Sequence, residues 1–210
     1  MAGPNPGGRR RNIATSINRL DQQIQFILEI DKLKSVLRRT TLINEARREN
    51  SAEHSWHIAL MAVLLIEHAN QAIDLPRVVK MLLIHDIVEI DAGDTFAYSG
   101  VSKIDQSAKE RIAAERLFSL LPDDQAVELR ALWEEFEAMQ TPEANFANAV
   151  DRLMPVLHNY HNGGGTWRES IVTLEKVITR VSPIGEGSAA LWEFTQTILA
   201  DAVNRGLITR

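Results

Sequence analysis

The chain has 210 residues, 45% of them apolar and 24% charged, enough for one domain with a good-sized core. Its formal net charge of -5 and pI of about 5.7 argue against an electrostatic grip on nucleic acid polymers, which needs a basic face. With no cysteine, disulfides, thiolate chemistry and Cys-ligated zinc are excluded, and a reducing cytoplasm is the default location.

Residues 1–11 (MAGPNPGGRRR) are mostly Gly, Pro and Arg and are expected to form a disordered tail, leaving residues 12–210 as a single domain. From Ile13 the apolar residues Ile17, Leu20, Ile24, Ile27 and Leu28 recur at helical steps, and this helix is expected to end near 33–39. The segment 38–50 carries Arg38, Arg39, Arg47 and Arg48, a basic cluster in an acidic chain and a candidate anion clamp. Ser51 reads as an N-cap for a helix over 52–72, apolar nearly all round. Its longest unbroken apolar run, Ile58 to Ile66, is too short for a bilayer, so no membrane partner is expected.

The next helix starts at Leu75-Pro76, is expected to run to 89 or 90, and has Gly93 as a terminator. Its apolar run contains His85, Asp86 and Glu89. A buried charge costs several kcal/mol unless it is paired or holds a metal, so these groups need a reason to be there. Residues three and four apart share a helix face, which places Glu89 above His85 and beside Asp86. His54 opens the preceding helix and Asp151 interrupts an apolar stripe far downstream. The expectation is that His54, His85, Asp86 and Asp151 converge on one divalent cation, with Glu89 aimed at what the cation binds. Neutral imidazole and carboxylate suit manganese, cobalt, zinc or ferrous iron better than magnesium. Asp94, in the turn-rich loop 91–102, is a candidate acceptor for substrate hydroxyls.

Further helices are expected over 104–121, 124–140 (capped by Asp123 or Asp124) and 142–159. After the Gly163–Gly165 break, short helices follow to Arg180, then a last one over 188–205. No segment alternates convincingly with period two, so the fold class is expected to be all-α. The four tryptophans are read as core. Glu110, Glu115, Glu134, Glu135 and Glu137 are read as solvated helix faces. His57 is a second possible ligand, whereas His158 and His161 are read as capping or pocket-lining residues.

The spacing of His54, His85-Asp86 and Asp151 resembles the HD superfamily of metal-dependent phosphohydrolases. More narrowly, Arg48-Glu49-Asn50-Ser51-Ala52-Glu53-His54-Ser55 with His85-Asp86-Ile87-Val88-Glu89-Ile90-Asp91-Ala92-Gly93-Asp94 resembles bacterial 5'-deoxynucleotidases and their eukaryotic HD-domain relatives, over roughly residues 30–159. The resemblance implies an all-α HD-domain bundle, commonly a homodimer. It implies metal ligation by His54, His85, Asp86 and Asp151, and help to the attacking water from Glu89 and Asp86. It also implies phosphate holding by Arg38 and sugar contact by Asp94. Two-metal members carry extra histidines between the pair and the last Asp. Residues 87–150 contain none, which implies one metal per chain. Where the bacterial enzymes place Trp after the phosphate-holding Arg, this chain has Arg39, so deoxyribose selectivity does not follow. The implied activity is phosphate removal from a nucleoside 5'-monophosphate. Hydrolysis of a cyclic nucleotide or triphosphate, or a non-catalytic metal-binding dimer, are the alternatives.

Overall fold

Apolar residues at helical spacing generate eleven α-helices among the described residues of the computed structural model, which are 18–96, 98 and 103–209. The predicted tail and the beginning of the first predicted helix lie outside them. Helix α1 (Arg19–Ile30) is capped by Asn18, whose side chain accepts the Asp21 N–H, and ends in a tight 3-10 turn, Asp31–Ser35. A short hairpin follows, β1 (Leu37–Thr41) antiparallel to β2 (Arg48–Asn50), with Leu37 opposite Asn50 and Thr41 opposite Arg48. This hairpin corrects the reading of 38–50 as strandless, but it is the only sheet among the described residues, so the class is all-α. The strand period of two turns Arg38 and Thr40 inward and leaves Arg39 exposed.

Helix α2 (Ser51–Leu65) begins one residue earlier than expected. Asn50, not Ser51, is the N-cap: its side chain accepts the Glu53 N–H at 2.9 Å, and the Glu53 carboxylate accepts the Asn50 N–H at 2.7 Å. Ser51 becomes the first helical residue and its hydroxyl is free for other work. The helix also stops sooner than predicted, passing into a 3-10 turn at Ile66–His68. Helix α3 (Leu75–Ile84) is capped by Asp74 and has Pro in its first turn. The predicted continuation to 89 is broken: His85–Val88 tighten into a 3-10 turn, and α4 (Glu89–Ala92) resumes before Gly93, at φ +74°, ends it.

Helices α5 (Lys103–Phe118), α6 (Asp123–Ala138) and α7 (Pro142–His161) follow. Pro122 is the N-cap residue of α6, and no aspartate side chain caps it, contrary to expectation. Thr141 caps α7, which is the central strut. Phe146, Ala147, Ala149, Val150, Leu153 and Met154 are all buried in the core it shares with α2, α3 and α6. Pro155 sits inside α7 and has no N–H to offer the Asp151 carbonyl one turn back. The Asn159 side-chain amide donates to the Pro155 carbonyl at 2.9 Å, while its oxygen accepts from Thr166.

After the glycine break come α8 (Gly165–Glu169), α9 (Leu174–Val181, capped by Thr173), α10 (Ile184–Gly187) and α11 (Ala189–Asn204, capped by Ser188). Trp133 and Trp167 are buried as expected, but Trp56 is 62% exposed. No helix among the described residues is long and apolar enough to cross a membrane.

Gly187 of α10 packs directly on the α7 backbone. A Cβ there would overlap the Asn145 backbone carbonyl, which cannot step aside without moving the helix. Gly187→Ala is therefore expected to cost about 1–3 kcal/mol through overpacking, read as a fall in Tm of roughly 2–10 °C for a chain of this size. An unchanged Tm would show that α10 shifts freely.

Candidate metal centre

Three separated elements deliver the predicted ligands to one point. His54 comes from the first turn of α2, His85 and Asp86 from the 3-10 turn after α3, and Asp151 from mid-α7 beside the Pro155 defect. One ligand atom each from His54, His85 and Asp151 lies within 4.8 Å of the others. His54 Nε2 is 3.0 Å from Asp151 Oδ1, and His85 Nε2 is 3.8 Å from the same oxygen. Asp86 stands beside them, with Oδ1 3.0 Å from His85 Nε2 and Oδ2 accepting from Arg38 Nη1 at 2.7 Å.

These residues fit a cation. His85 is 5% exposed and turns Nδ1 to the Leu82 carbonyl at 2.8 Å, which fixes the proton on that nitrogen. Its Nε2 is buried and makes no hydrogen bond, although Asp86 Oδ1 is close. An orphaned imidazole lone pair facing carboxylate oxygens is the arrangement of two ligands sharing a metal. Ligands at about 2.1 Å from one cation and about 90° apart sit about 3.0 Å from each other.

The field agrees. Burial alone would push the His85 imidazole down, but Asp86 and Asp151 outweigh it and raise its pKa to about 9. The same two carboxylates that favour a proton there favour a metal ion. Burial pushes Asp86 up, yet His85 and Arg38 overcome it and hold the carboxyl at about 2. Asp151 lies well below the usual range, burial being outweighed by the His54 hydrogen bond and the His85 charge.

Glu89 is the exception. Burial first, then the Asp86 charge, drive its carboxyl well above the usual range. Its Oε2 accepts a hydrogen bond from Ser51 Oγ at 2.6 Å, the hydroxyl released by the one-residue shift of the α2 cap. Because a 3-10 turn eclipses residues three apart, Asp86 and Glu89 stay on one side. Asp94 is also raised, by burial and then by Asp86, against the pull of Arg38.

Arg38, His85, Asp86, Glu89, Asp94 and Asp151 line a cavity of about 620 Å³ whose other walls include Phe96, Gln106, Glu110, Phe136, Glu137, Arg152 and Arg180, while His54 lies buried behind it. Arg39 is not part of it. It lines a smaller cleft with Asp94 and Thr95 and lies over the Phe96 ring, 5.3 Å from its centroid. His57 stands away from the His54–His85–Asp151 group. Its nearest ligand-bearing neighbours are Glu49 and His158.

One reading is overturned here: Glu110 is half-buried in the pocket wall rather than on a solvated face. Glu137 is exposed, as read, but stands at the same pocket, where desolvation followed by the Glu110 charge raises its carboxyl to about 7. A residue the sequence reading missed is Glu49, 1% exposed on β2, with His54, Arg38, Thr40 and His158 around one of its oxygens. A three-residue strand has too few positions for alternation to reveal a buried carboxylate.

Comparison with known proteins places these observations. Residues 30–192 match the HD domain family. A solved structure from Magnetospirillum magnetotacticum MS-1, described as a predicted metal-dependent phosphohydrolase, is 52% identical. It covers 91% of this chain and 96% of its own, with a TM-score of 0.87. The 5'-deoxynucleotidase HDDC2 of Xenopus laevis is 30% identical and that of Homo sapiens 29% identical, each over 64% of this chain. The matched regions span 66% and 65% of those two relatives, just under two thirds of their length.

Proposed function

Because the chain belongs to the HD domain family, we propose that it is a metal-dependent phosphomonoesterase acting on a small phosphorylated metabolite, a nucleoside 5'-monophosphate. The observation that carries this reading is the buried, unpartnered Nε2 of His85 facing Asp86 and Asp151 beside a high-pKa glutamate. His54, His85, Asp86 and Asp151 would hold one divalent ion, manganese, cobalt, zinc or ferrous iron. Such an ion supplies a polarised phosphate oxygen and a water made acidic near neutral pH.

The chain's own groups do the rest. Glu89, a stronger base than an ordinary carboxylate, takes the proton of the attacking water, and Ser51 Oγ holds its other oxygen in place. Asp86 would also contact that water. Arg38 is buried, stays charged and lines the cavity, so its remaining donors can meet the negative charge on the phosphoryl oxygens. Asp94, at the mouth of the cavity, is placed to accept from a sugar hydroxyl. Arg39, over Phe96 at the adjoining cleft, would meet the leaving group's outer edge.

The proposal extends to a cytoplasmic homodimer. Trp56, Leu60, Val63 and Leu64 form an exposed apolar stripe on α2, which supports self-association.

The test is phosphate release from a panel of ribo- and deoxyribonucleoside 5'-monophosphates by manganese-, cobalt- or zinc-loaded protein. A cyclic nucleotide, a nucleoside triphosphate and sugar phosphates are run alongside. Turnover of a monophosphate that chelation stops is the expected result. Turnover confined to the triphosphate or cyclic ester would move the chain to another HD chemistry. None on any substrate, with metal bound, would leave a binding module.

A further inference from the structure

The buried Glu49 has no role in the chemistry above, yet four side chains surround one of its oxygens. Its Oε2 lies 3.3 Å from His54 Nδ1, 3.5 Å from Arg38 Nε, 3.5 Å from Thr40 Oγ1 and 3.7 Å from His158 Nδ1. His54 is fully buried and flanked by a carboxylate on each ring nitrogen, Glu49 at Nδ1 and Asp151 at Nε2. Only one of these nitrogens carries the proton in the neutral ring, and a metal ligand needs Nε2 free. Asp151 Oδ1, at 3.0 Å, accepts a proton held on the wrong nitrogen just as readily. The approach of Glu49 to Nδ1 is long and poorly aligned, so the ring's choice depends on the charge of Glu49 being there.

We propose that Glu49 is a positioning residue of the metal centre: its carboxylate keeps the His54 proton on Nδ1, freeing Nε2 for the cation, while the same oxygen braces the Arg38 guanidinium. One buried group thereby ties the metal ligand to the phosphate clamp. Carboxylates behind metal-bound histidines set the tautomer and orientation of the ring in this way.

The neighbouring group Glu49–His57–His158 also has the spacing of a metal site. A second cation there would share the Glu49 carboxylate with the permanent charge of Arg38, whose Nε lies 3.5 Å from Oε2. That repulsion favours the positioning role.

This inference rests on the proposed metal centre but not on turnover, since its readouts are spectroscopic and thermodynamic. Imidazole nitrogen NMR of the zinc-loaded full chain should show His54 protonated at Nδ1. In Glu49→Gln, the amide oxygen that Arg38 attracts still faces His54 Nδ1, but as a neutral and weaker acceptor without the carboxylate charge. In Glu49→Leu there is no acceptor at all. Zinc Kd, measured by chelator competition, should rise about 10- to 100-fold, more for Leu than for Gln. The metal-free variants should move the His54 proton to Nε2.

An unprotonated Nδ1 in the zinc-loaded wild type would overturn the proposal without any variant. So would a Kd within twofold of wild type in either variant that still melts cooperatively, and Glu49→Gln decides if Glu49→Leu does not fold. Two zinc ions per chain, with one lost in His158→Ala, would make Glu49 a ligand and overturn it as well. If no phosphate ester is turned over, the tautomer and Kd results still decide this point by themselves.

Discussion

Glu89→Gln is expected to retain its metal and to lose about 10²- to 10⁴-fold in kcat, the span that a positioned general base contributes. The amide has the shape of the carboxyl and can still accept from Ser51 Oγ, so the 3-10 turn carrying His85 and Asp86 is left in place. Glu89 is not one of the four proposed ligands, His54, His85, Asp86 and Asp151, which is why metal content should not change. What is lost is proton affinity. The check is metal content and phosphate release on the same preparation. Equal turnover would remove Glu89 from the mechanism, and joint loss of metal and turnover would make it a ligand.

The same variant carries a stability signature with a definite sign. The folded-state pKa of Glu89 is raised, so its charged form is disfavoured in the fold. That cost is absent at pH values below the unfolded pKa, appears as the pH rises through it, and is complete above the folded pKa. Chelated Glu89→Gln should therefore melt higher than chelated wild type at pH 8 and level with it at pH 4. A lower Tm at pH 8 would show that the carboxylate is stabilised in the fold, against the burial and Asp86 repulsion described above.

Arg38→Met should reduce kcat/KM by about 10³-fold or more, the size of effect seen when a cation facing a transferring phosphoryl group is removed. It should also destabilise the protein by about 3–5 kcal/mol, because breaking a buried pair strands the partner charge. Arg38 has two carboxylates to strand, Asp86 at 2.7 Å and Glu49 at 3.5 Å. Asp86 gains its depressed pKa partly from Arg38, so its contribution to stability, present above the unfolded pKa and lost as pH falls toward about 2, shrinks in the variant. Arg38→Lys keeps the charge but not the fork and should recover stability better than catalysis. A variant with wild-type KM and kcat would take Arg38 out of the phosphate site.

The helices and the chemical character of the site were legible in the residue order. Apolar spacing marked α2, α3, α5, α6, α7 and α11 to within a few residues, except for the far ends of α2 and α3. Polar residues set in apolar stripes marked His54, His85, Asp86 and Asp151, because burying such groups without a partner is too costly to be accidental. The capping shift from Ser51 to Asn50, the 3-10 break at His85 and the hairpin around Arg38 were not legible. Each is decided by a hydrogen bond or a strand pairing that competes closely with its alternative.

The roles of Glu49, Glu110 and Glu137 were hidden for a stronger reason. A carboxylate's environment is made by residues far away in the chain: His158 beside Glu49, and the Asp86 and Asp151 charges near Glu137. Sequence alone determined which groups could not be buried idly, since that cost belongs to the residue itself. Only the tertiary structure decided which of them come together, which have their proton affinity raised and which lie against a neighbour's charge. Those outcomes depend on distances and local dielectric set by chain segments packed together from about a hundred residues apart.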